Sequence, residues 1–387
     1  MSRFETRAIH AGKPRPSKGE DLVPPIHRST VYALDKEGYE EGDPNYTRYD
    51  NPNRRQLEGL LADLEEGTGC AAFASGVAAA TAVFQALDPG DHVLMPDDVY
   101  AGNRKLVREL FGRWGLQYDF VPMSGTGRIE EALRDNTRLV WLETPSNPML
   151  NITDIAAVCE MVDGSGAKVL VDNTFLTPFN QRPLTLGADL VLHSTTKFLG
   201  GHSDIQGGAV IAREEDSFME LIRDIQVTAG AVPSPEDCWL LARSIQTLSY
   251  RMRAHNQNGM ELALFLQNHP AVEKVYYPGL ATHAGYENAQ KQMSGFGGMI
   301  SFLLKTRAQG GEAGLEAVRA VAGSRLIQRA TSLGGVESTW EHRRSSEGED
   351  SETPHNLVRI SVGLEHEEDL KADLERALEG LERPAGD

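Results

Sequence analysis

Short apolar segments alternate with helical segments through the first half of the sequence, and this alternation limits the possible folds more than any other feature. Strands are predicted at 70–74, 92–95, 138–143, 169–172 and 190–193. Helices are predicted at 77–87, at 103–114 and from Pro52, where a stripe of leucines at 57–64 ends at Gly67. A βαβ order of this kind is typical of parallel sheets that helices cover on both faces. The predicted fold class is therefore α/β, with a mainly parallel central sheet.

The pattern changes near Pro235. A long helical stretch at 236–267 is followed by strand segments at 298–303 and 357–362 and by a closing helix at 367–381, which indicates a smaller α+β C-terminal domain. Residues 1–50 are rich in proline and have little periodicity, so we expect them to lie against something else, such as a neighbouring subunit. The predicted organisation is an N-terminal arm at 1–50, an α/β domain at 51–235 and a C-terminal domain at 236–387 that begins with the bridging helix.

Composition excludes several classes of function. The net charge of -18 argues against a nucleic-acid or anionic-membrane partner. No segment approaches the roughly 18 apolar residues of a membrane span, and the N-terminus lacks the apolar core of a signal peptide. The 3 cysteines show no CxxC spacing and the 11 histidines no HExxH, so no metal site is expected. We expect a cytoplasmic protein. The almost wholly polar segment 341–354 predicts a solvated loop.

The strongest indication of chemistry is a lysine and an aspartate that each follow a predicted strand. Val169–Val171 leads into Asp172, and Leu190–His193 leads through Ser194 and Thr196 to Lys197. Ligands of open α/β sheets bind at the carboxyl edge of the strands, where both side chains would meet. A lysine able to form a Schiff base, an aspartate for a pyridinium nitrogen and hydroxyls for a phosphate together describe a pyridoxal phosphate (PLP) site.

A second segment suits the phosphate. Ala74-Ser75-Gly76-Val77 follows a strand and opens a helix, so the N–H groups of its first turn would face an anion. A tight turn without a ligand is the alternative interpretation. The sequence contains neither a GxGxxG following a strand nor a GxxxxGK[ST] motif, which disfavours dinucleotides and nucleoside triphosphates.

Five further residues carry groups suited to such a site. Tyr46 and Arg48 combine a hydroxyl donor with a guanidinium for a phosphate, although an aromatic docking surface is the alternative. Tyr100 follows a strand and could stack on a planar ring. Asn147 could donate to a phenolate oxygen, and Arg359, within a predicted strand, suits an α-carboxylate.

Taken together, these motifs resemble the trans-sulfuration enzymes of cysteine and methionine metabolism, which are fold-type I PLP enzymes. The resemblance runs from Thr6 to Gly363 and matches six separated motifs in order. It implies that Lys197 is the Schiff-base lysine, that Asp172 pairs with the pyridine nitrogen and that Tyr100 stacks on the ring. The remaining cofactor contacts that it implies are Asn147 at the 3-oxygen and, at the phosphate, Gly76, Val77, Ser194 and Thr196, joined by Tyr46 and Arg48 from an adjacent subunit.

The resemblance also implies an amino-acid substrate and a homotetramer built from two tight dimers with shared active sites. Arg359, with the backbone around Ser332, is similar to the family's carboxylate clamp, and Tyr46 would also contact substrate. Glu337 lies in a Gly-Gly-Val-Glu segment that resembles the cystathionine-using members. The implied activity is γ-elimination or γ-replacement on L-cystathionine or an O-acylhomoserine. The alternatives are cystathionine β-lyase, methionine γ-lyase and, more remotely, a non-catalytic scaffold.

Three departures from the family pattern concern the substrate. Lys105 stands where many members have an arginine for a distal carboxylate, and an arginine occurs one position earlier. Gly102 stands where methionine γ-lyases commonly carry cysteine. The segment 340–353, which borders the cleft in relatives, does not follow their usual His-Pro pattern.

Overall fold

The computed structural model describes residues 2–34, 45–306, 308–348 and 351–379. The strands in these residues are β1 (Gly69–Phe73), β2 (His92–Pro96), β3 (Gln117–Val121), β4 (Thr137–Glu143), β5 (Lys168–Asp172), β6 (Leu190–His193), β7 (Gly208–Ala212), β8 (Val272–Tyr276), β9 (Met299–Leu304), β10 (Gln328–Arg329), β11 (Thr339–His342) and β12 (Leu357–Ser361).

The α-helices in the same residues are α1 (Phe4–His10), α2 (Pro52–Glu65), α3 (Gly76–Gln85), α4 (Ala101–Lys105), α5 (Thr126–Ala132), α6 (Ile155–Val162), α7 (Thr177–Asn180), α8 (Ser217–Ala229), α9 (Pro235–Ile245), α10 (Leu248–Asn268), α11 (Tyr286–Gln292), α12 (Gly311–Ala322), α13 (Arg343–Glu347) and α14 (Glu367–Glu379). The end of the predicted closing helix, at 380–381, lies outside the described residues.

The first seven strands form one sheet in the order β1-β7-β6-β5-β4-β2-β3. The neighbours from β3 to β6 pair in parallel, whereas β7 runs antiparallel to both β1 and β6. Alternate side chains of β1 pack on opposite faces, with Cys70 and Ala72 in the core beside α2 and with Ala71 and Phe73 in the core beside α3. A mainly parallel sheet with helices on both faces confirms the predicted fold class.

Local sequence explains why α2 begins and ends where it does. The Asn51 side chain accepts a hydrogen bond from the backbone N–H of Asn53, and Pro52 occupies the first turn, where no N–H is needed. The leucines at 57, 60, 61 and 64 are buried, and the chain leaves the helix at Glu66 with a left-handed φ of 62°. The helix predicted from this leucine pattern is confirmed.

The C-terminal part of the chain builds a second sheet in the order β10-β11-β12-β9-β8. Its core joins Phe302 and Trp340 on the strands to residues of α10, α12 and α14. The single helix predicted at 236–267 is instead two, α9 and α10, separated at 246–247. The domain boundaries at 50 and 235 stay predictions.

Two further local predictions need correction. The helix predicted at 103–114 is α4 followed by a π-helical turn (Leu106–Leu110) and a 3₁₀ turn (Phe111–Trp114), and β3 and β7 were not predicted. Part of the arm packs on its own chain, because Arg7 in α1 forms ion pairs with Asp63 at 2.6 Å and Glu66 at 3.1 Å. None of the described helices has both the length and the apolar character that crossing a membrane requires.

Candidate active site

The carboxyl ends of β4, β5 and β6 open into a cleft of about 1350 Å³ that also reaches the second sheet. Parallel strands deliver the residues that follow them to one edge, which explains why distant positions meet here. Ten of the thirteen predicted site residues line this cleft: Gly76, Val77, Tyr100, Asn147, Asp172, Ser194, Thr196, Lys197, Ser332 and Arg359.

Lys197 reaches into the cleft from the turn that follows β6. Its Nζ donates to the Ser332 hydroxyl at 2.7 Å. Burial lowers the pKa of the amine to about 8, and the nearby charges of Arg359 and Arg343 act in the same direction. An amine with this pKa is partly neutral near neutral pH, as a nucleophile or base must be.

Asp172, the last residue of β5, presents one carboxylate oxygen to the cleft without a partner. Its Oδ1 accepts from the Thr174 backbone N–H at 3.0 Å and from the Thr174 hydroxyl at 2.5 Å. Its Oδ2 makes no hydrogen bond within the described part of the chain, and burial raises the pKa of the carboxyl. The site is therefore suited to a cationic N–H donor, which would relieve the cost of the buried charge.

Glu143 is a buried acid of the cleft to which the sequence motifs assigned no role. It ends β4 directly beside Asp172 in the strand register, and its Oε2 accepts from the backbone N–H of Tyr100 at 3.0 Å. Burial, with the neighbouring Asp172 charge, raises its pKa well above the usual value. This bond holds the start of the Tyr100 segment against the sheet edge, and the Tyr100 side chain itself is 40% exposed.

The turn before α3 and the turn after β6 approach each other closely. A Cβ on Gly76 would lie 2.8 Å from the Ser194 Cβ, so this approach requires glycine. Ser75 caps the helix by accepting from the Ala78 N–H at 3.0 Å. The Ser194 hydroxyl has no partner in the described chain, whereas the Thr196 hydroxyl bonds the backbone of Gly207. Free first-turn N–H groups and a hydroxyl form an anion-binding pocket.

Arg359 lines the same cleft from the middle of β12. The side chain is 3% exposed, its Nη1 donates to Asn147 Oδ1 at 2.6 Å and its Nη2 donates to Glu341. Burial lowers the pKa of Arg359 to about 10, and the charge of Arg343 acts in the same direction. Because this pKa is still well above 7, the guanidinium is charged at neutral pH. Asn147 is thereby tied to Arg359.

Three predicted residues lie away from the cleft lining. Tyr46 and Arg48 contact each other, and the Arg48 guanidinium stacks 4.3 Å above the Tyr49 ring while donating to the Val227 carbonyl at 2.5 Å. Glu337 is exposed and does not line the cleft. Within one chain, the structure therefore does not bring these three to the other ten.

The polar segment 341–354 is not the solvated loop that its composition predicted. Glu341, His342, Arg343 and Thr353 are each at most 7% exposed. The segment begins as β11, continues as α13 and lines the cleft with Arg343, Ser346 and Glu347. Ion pairs allow Glu341 and Arg343 to be buried, and hydrogen bonds do the same for His342 and Thr353. Polarity alone could not reveal such pairing.

The arrangement fits PLP on its own geometry. An anion pocket at Gly76 and Ser194, an unpartnered buried carboxylate oxygen at Asp172 and a partly neutral amine at Lys197 correspond to its phosphate, its pyridine nitrogen and its aldehyde. Tyr100 supplies an exposed aromatic ring in the same cleft.

Comparison with known proteins agrees with this geometry. A family model described as Cys/Met metabolism PLP-dependent enzyme matches residues 5–379. A cystathionine gamma-synthase of Mycobacterium bovis is 46% identical over 96% of both chains, and a cystathionine gamma-lyase of Bacillus subtilis is 42% identical over 97% of this chain and 98% of the relative. The crystal structure of metB from Corynebacterium glutamicum superposes with a TM-score of 0.93 at 43% identity, covering 98% of each chain.

Proposed function

Because the chain belongs to the PLP-dependent enzymes of cysteine and methionine metabolism, we propose that it catalyses γ-replacement on an O-acylhomoserine, with a thiol such as cysteine as the incoming nucleophile. The observation that carries this proposal is that the Lys197 amine, the Asp172 carboxylate and Arg359 line one cleft, with Arg359 near enough for its charge to lower the pKa of the amine. The synthase relative is the more similar of the two named above, which favours replacement over elimination.

We propose that the residues of the sheet edge hold the cofactor. Gly76, Val77, Ser194 and Thr196 would bind the phosphate, and Asp172 would accept the pyridinium N–H on its free Oδ2. Lys197 would bond the aldehyde carbon, and Tyr100 would cover the ring. When bound, PLP supplies the electron sink that makes loss of a substrate Cα proton feasible.

Arg359 would orient the substrate by binding its α-carboxylate, with Asn147 fixing the guanidinium plane. A substrate held there places its Cα and Cβ beside Nζ of Lys197. Lys197, once its amine is free, would take the proton from Cα and, after passing that proton on to the bound cofactor, would take one from Cβ. The Tyr100 hydroxyl can donate a proton near the departing γ substituent.

γ-Elimination of L-cystathionine is the second candidate, since a relative named cystathionine gamma-lyase shares 42% identity. Both reactions use the same proton transfers at Cα and Cβ, and they differ in whether a thiol adds at Cγ afterwards. The residues that hold the cofactor therefore do not distinguish them.

A product assay with the purified protein tests the proposal. We expect O-acetylhomoserine or O-succinylhomoserine plus cysteine to yield cystathionine, and the same protein incubated with L-cystathionine alone to react more slowly. Faster release of 2-oxobutanoate and cysteine from cystathionine would establish the second candidate. Pyruvate with homocysteine would indicate a β-lyase, methanethiol from methionine would indicate a methionine γ-lyase, and a protein that binds no PLP would be a scaffold.

We further propose that the chain assembles as a homotetramer of two tight dimers. Tyr46 and Arg48 lie outside their own cleft, so their predicted contacts with phosphate and substrate require a neighbouring copy. Glu337 remains a proposed contact for a substrate amine, and its exposure leaves it accessible.

A further inference from the structure

Arg359 belongs to a buried chain of four alternating charges that the polar segment completes. The carboxylate of Glu341 lies directly across the strands from Arg359 and accepts from it. The same oxygen, Oε1, accepts from Nη1 of Arg343 at 3.1 Å. Nε of Arg343 donates in turn to Glu347 at 2.8 Å. Two guanidinium groups therefore share one buried carboxylate oxygen.

The two arginines line the cleft, but the glutamate between them does not. Arg343 and Arg359 both belong to the lining, whereas Glu341 lies behind it and is 5% exposed. The second oxygen of Glu341 accepts from the Ser346 hydroxyl at 2.7 Å, which fixes the carboxylate behind the arginines. A substrate carboxylate would thus approach Arg359 from the side opposite to Glu341.

The charges around Glu341 indicate what Arg343 does for Arg359. Arg359 paired with Glu341 alone is a neutral unit, and a neutral buried unit attracts a carboxylate weakly. Because Arg343 bonds the same oxygen, Glu341 does not pair with Arg359 alone, and Arg359 keeps more of its positive charge for an incoming carboxylate, although the four charges together sum to zero. Glu347 balances Arg343 on the side away from Glu341. The second oxygen of Glu347, Oε2, accepts from the hydroxyls of Ser351 and Thr353 at 2.6 Å, and these bonds hold the segment folded over the cleft.

We propose that Arg343 is a positioning residue for substrate binding: by sharing the charge of Glu341, it keeps Arg359 available as the cation that binds the substrate α-carboxylate. The proposal rests on the proposed function insofar as Arg359 is taken as the carboxylate site. It gives Glu341 and Arg343 a role in binding the α-carboxylate, a group that every amino-acid substrate has in common. The variable end of the substrate has no part in it.

The test uses the PLP-loaded enzyme and the variant R343Q. We expect KM for the amino-acid substrate to rise roughly 10- to 100-fold, the range expected when a charged hydrogen-bonding group is lost, with a smaller change in kcat. Glycine, which has an α-carboxylate but no γ substituent, should lose affinity by the same factor when titrated by the change in the cofactor's visible absorbance.

The double variant E341Q/R343Q provides the decisive comparison, because removal of the unshared carboxylate should recover most of the lost affinity. R343K, which keeps the positive charge, should stay within a few-fold of wild type. R344Q is the matched control, since Arg344 lies on the same short helix, does not line the cleft and donates to the Thr353 carbonyl. Its effect should be small.

Unchanged glycine affinity in R343Q, or a double variant no better than R343Q, would overturn the proposal. Because glycine binding does not depend on γ chemistry, these outcomes stand even where the wild-type protein fails to convert an O-acylhomoserine. Thermal unfolding of each variant separates loss of folding from loss of binding. If R343Q unfolds, the test uses E341Q/R343Q, for which we expect nearly wild-type affinity for glycine; a loss of about 10-fold or more in that folded variant would overturn the proposal.

Discussion

Lys197 combines burial, a hydrogen bond to Ser332 and two nearby guanidinium groups, and each of these bears on its reactivity. Its replacement by alanine removes the only group proposed to bond the cofactor covalently and to move the substrate protons. We expect K197A to lose turnover by about 10³-fold or more. Absence of the visible absorbance of lysine-bound PLP is the direct measurement.

The fold should survive this change, since no backbone hydrogen bond depends on the amine. Thermal unfolding of K197A should therefore resemble that of K291A, an exposed lysine on α11 that serves as the control. Turnover retained in K197A would contradict the role proposed for Lys197.

The lowered pKa of Lys197 predicts how the cofactor-free enzyme responds to pH. Only the neutral amine attacks an aldehyde, so capture of PLP should accelerate as pH rises and level off above about 8, where the pKa lies. Below that value the rate should fall about tenfold per pH unit. Stopped-flow absorbance measures the rate.

The variant R359M tests the electrostatic part of this explanation. It removes one of the two positive charges that disfavour the protonated amine, while burial, the larger cause, remains. The midpoint of the pH profile should therefore move upward. A capture rate that is constant from about pH 6 to 9 would show that the amine is not the titrating group.

At the scale of secondary-structure elements, the cleft depends on how closely the turn before α3 approaches the turn after β6. In G76A the new methyl group would lie 2.8 Å from the Ser194 Cβ and 3.0 Å from its Cα, so one turn must move. We expect PLP affinity to fall roughly 10-fold or more, because the phosphate donors of both turns separate. Equilibrium titration of the cofactor-free variant measures this change.

Two further variants show whether crowding is the cause. In G76A/S194G the Ser194 side chain that the new methyl group would contact is absent. The loss of affinity from S194G to G76A/S194G should therefore be smaller than the loss from wild type to G76A. G127A in α5 adds the same methyl group where no atom lies within 4 Å, and it should bind PLP as wild type does. Equal losses in G76A and G127A would point to a general effect on folding.

The same elements show what the sequence could reveal and what it could not. Strand ends are recognisable because an apolar run stops at a charged residue, and this pattern alone was enough to predict that Asp172 and Lys197 share one edge of the sheet. Strand β3 escaped prediction because its residues are only half-buried or exposed, which weakens the apolar pattern. The break between α9 and α10 falls at Gln246–Thr247, where neither glycine nor proline signals it.

The polar segment illustrates a different limit. The sequence pattern around Glu341 and Arg343 predicts solvent exposure, yet both side chains are buried. Glu341 accepts hydrogen bonds from Arg343 and from Arg359, and Arg359 lies on the neighbouring strand. Ion pairing across strands depends on register, which sequence periodicity does not supply. Composition therefore indicated a loop at the place where the structure has part of the cleft.

At the scale of the whole molecule, the N-terminal segment leaves apolar side chains uncovered. Leu22 is 84% exposed, Val23 61% and Val31 65%, although α1 before them packs on its own chain. Val31 pairs in an isolated bridge with Tyr46, which connects this segment to the predicted phosphate contacts. Such exposure is expected where another copy of the chain covers the surface.

Subunit mixing tests whether sites are shared between copies. K197A should be inactive, and R48A should be impaired by loss of a phosphate contact; neither alone can regain activity by dilution or refolding. In a mixed dimer, the R48A subunit supplies an intact Lys197 while its K197A partner supplies an intact Arg48, so one of the two sites is complete.

Random reassociation of equal amounts should restore about a quarter of wild-type activity, because half of the dimers are mixed and each has one complete site. Sites built within single chains would leave every site in the mixture defective, so a mixture with no more than the mean of the two separate activities would show that Arg48 acts within its own subunit or takes no part in the site.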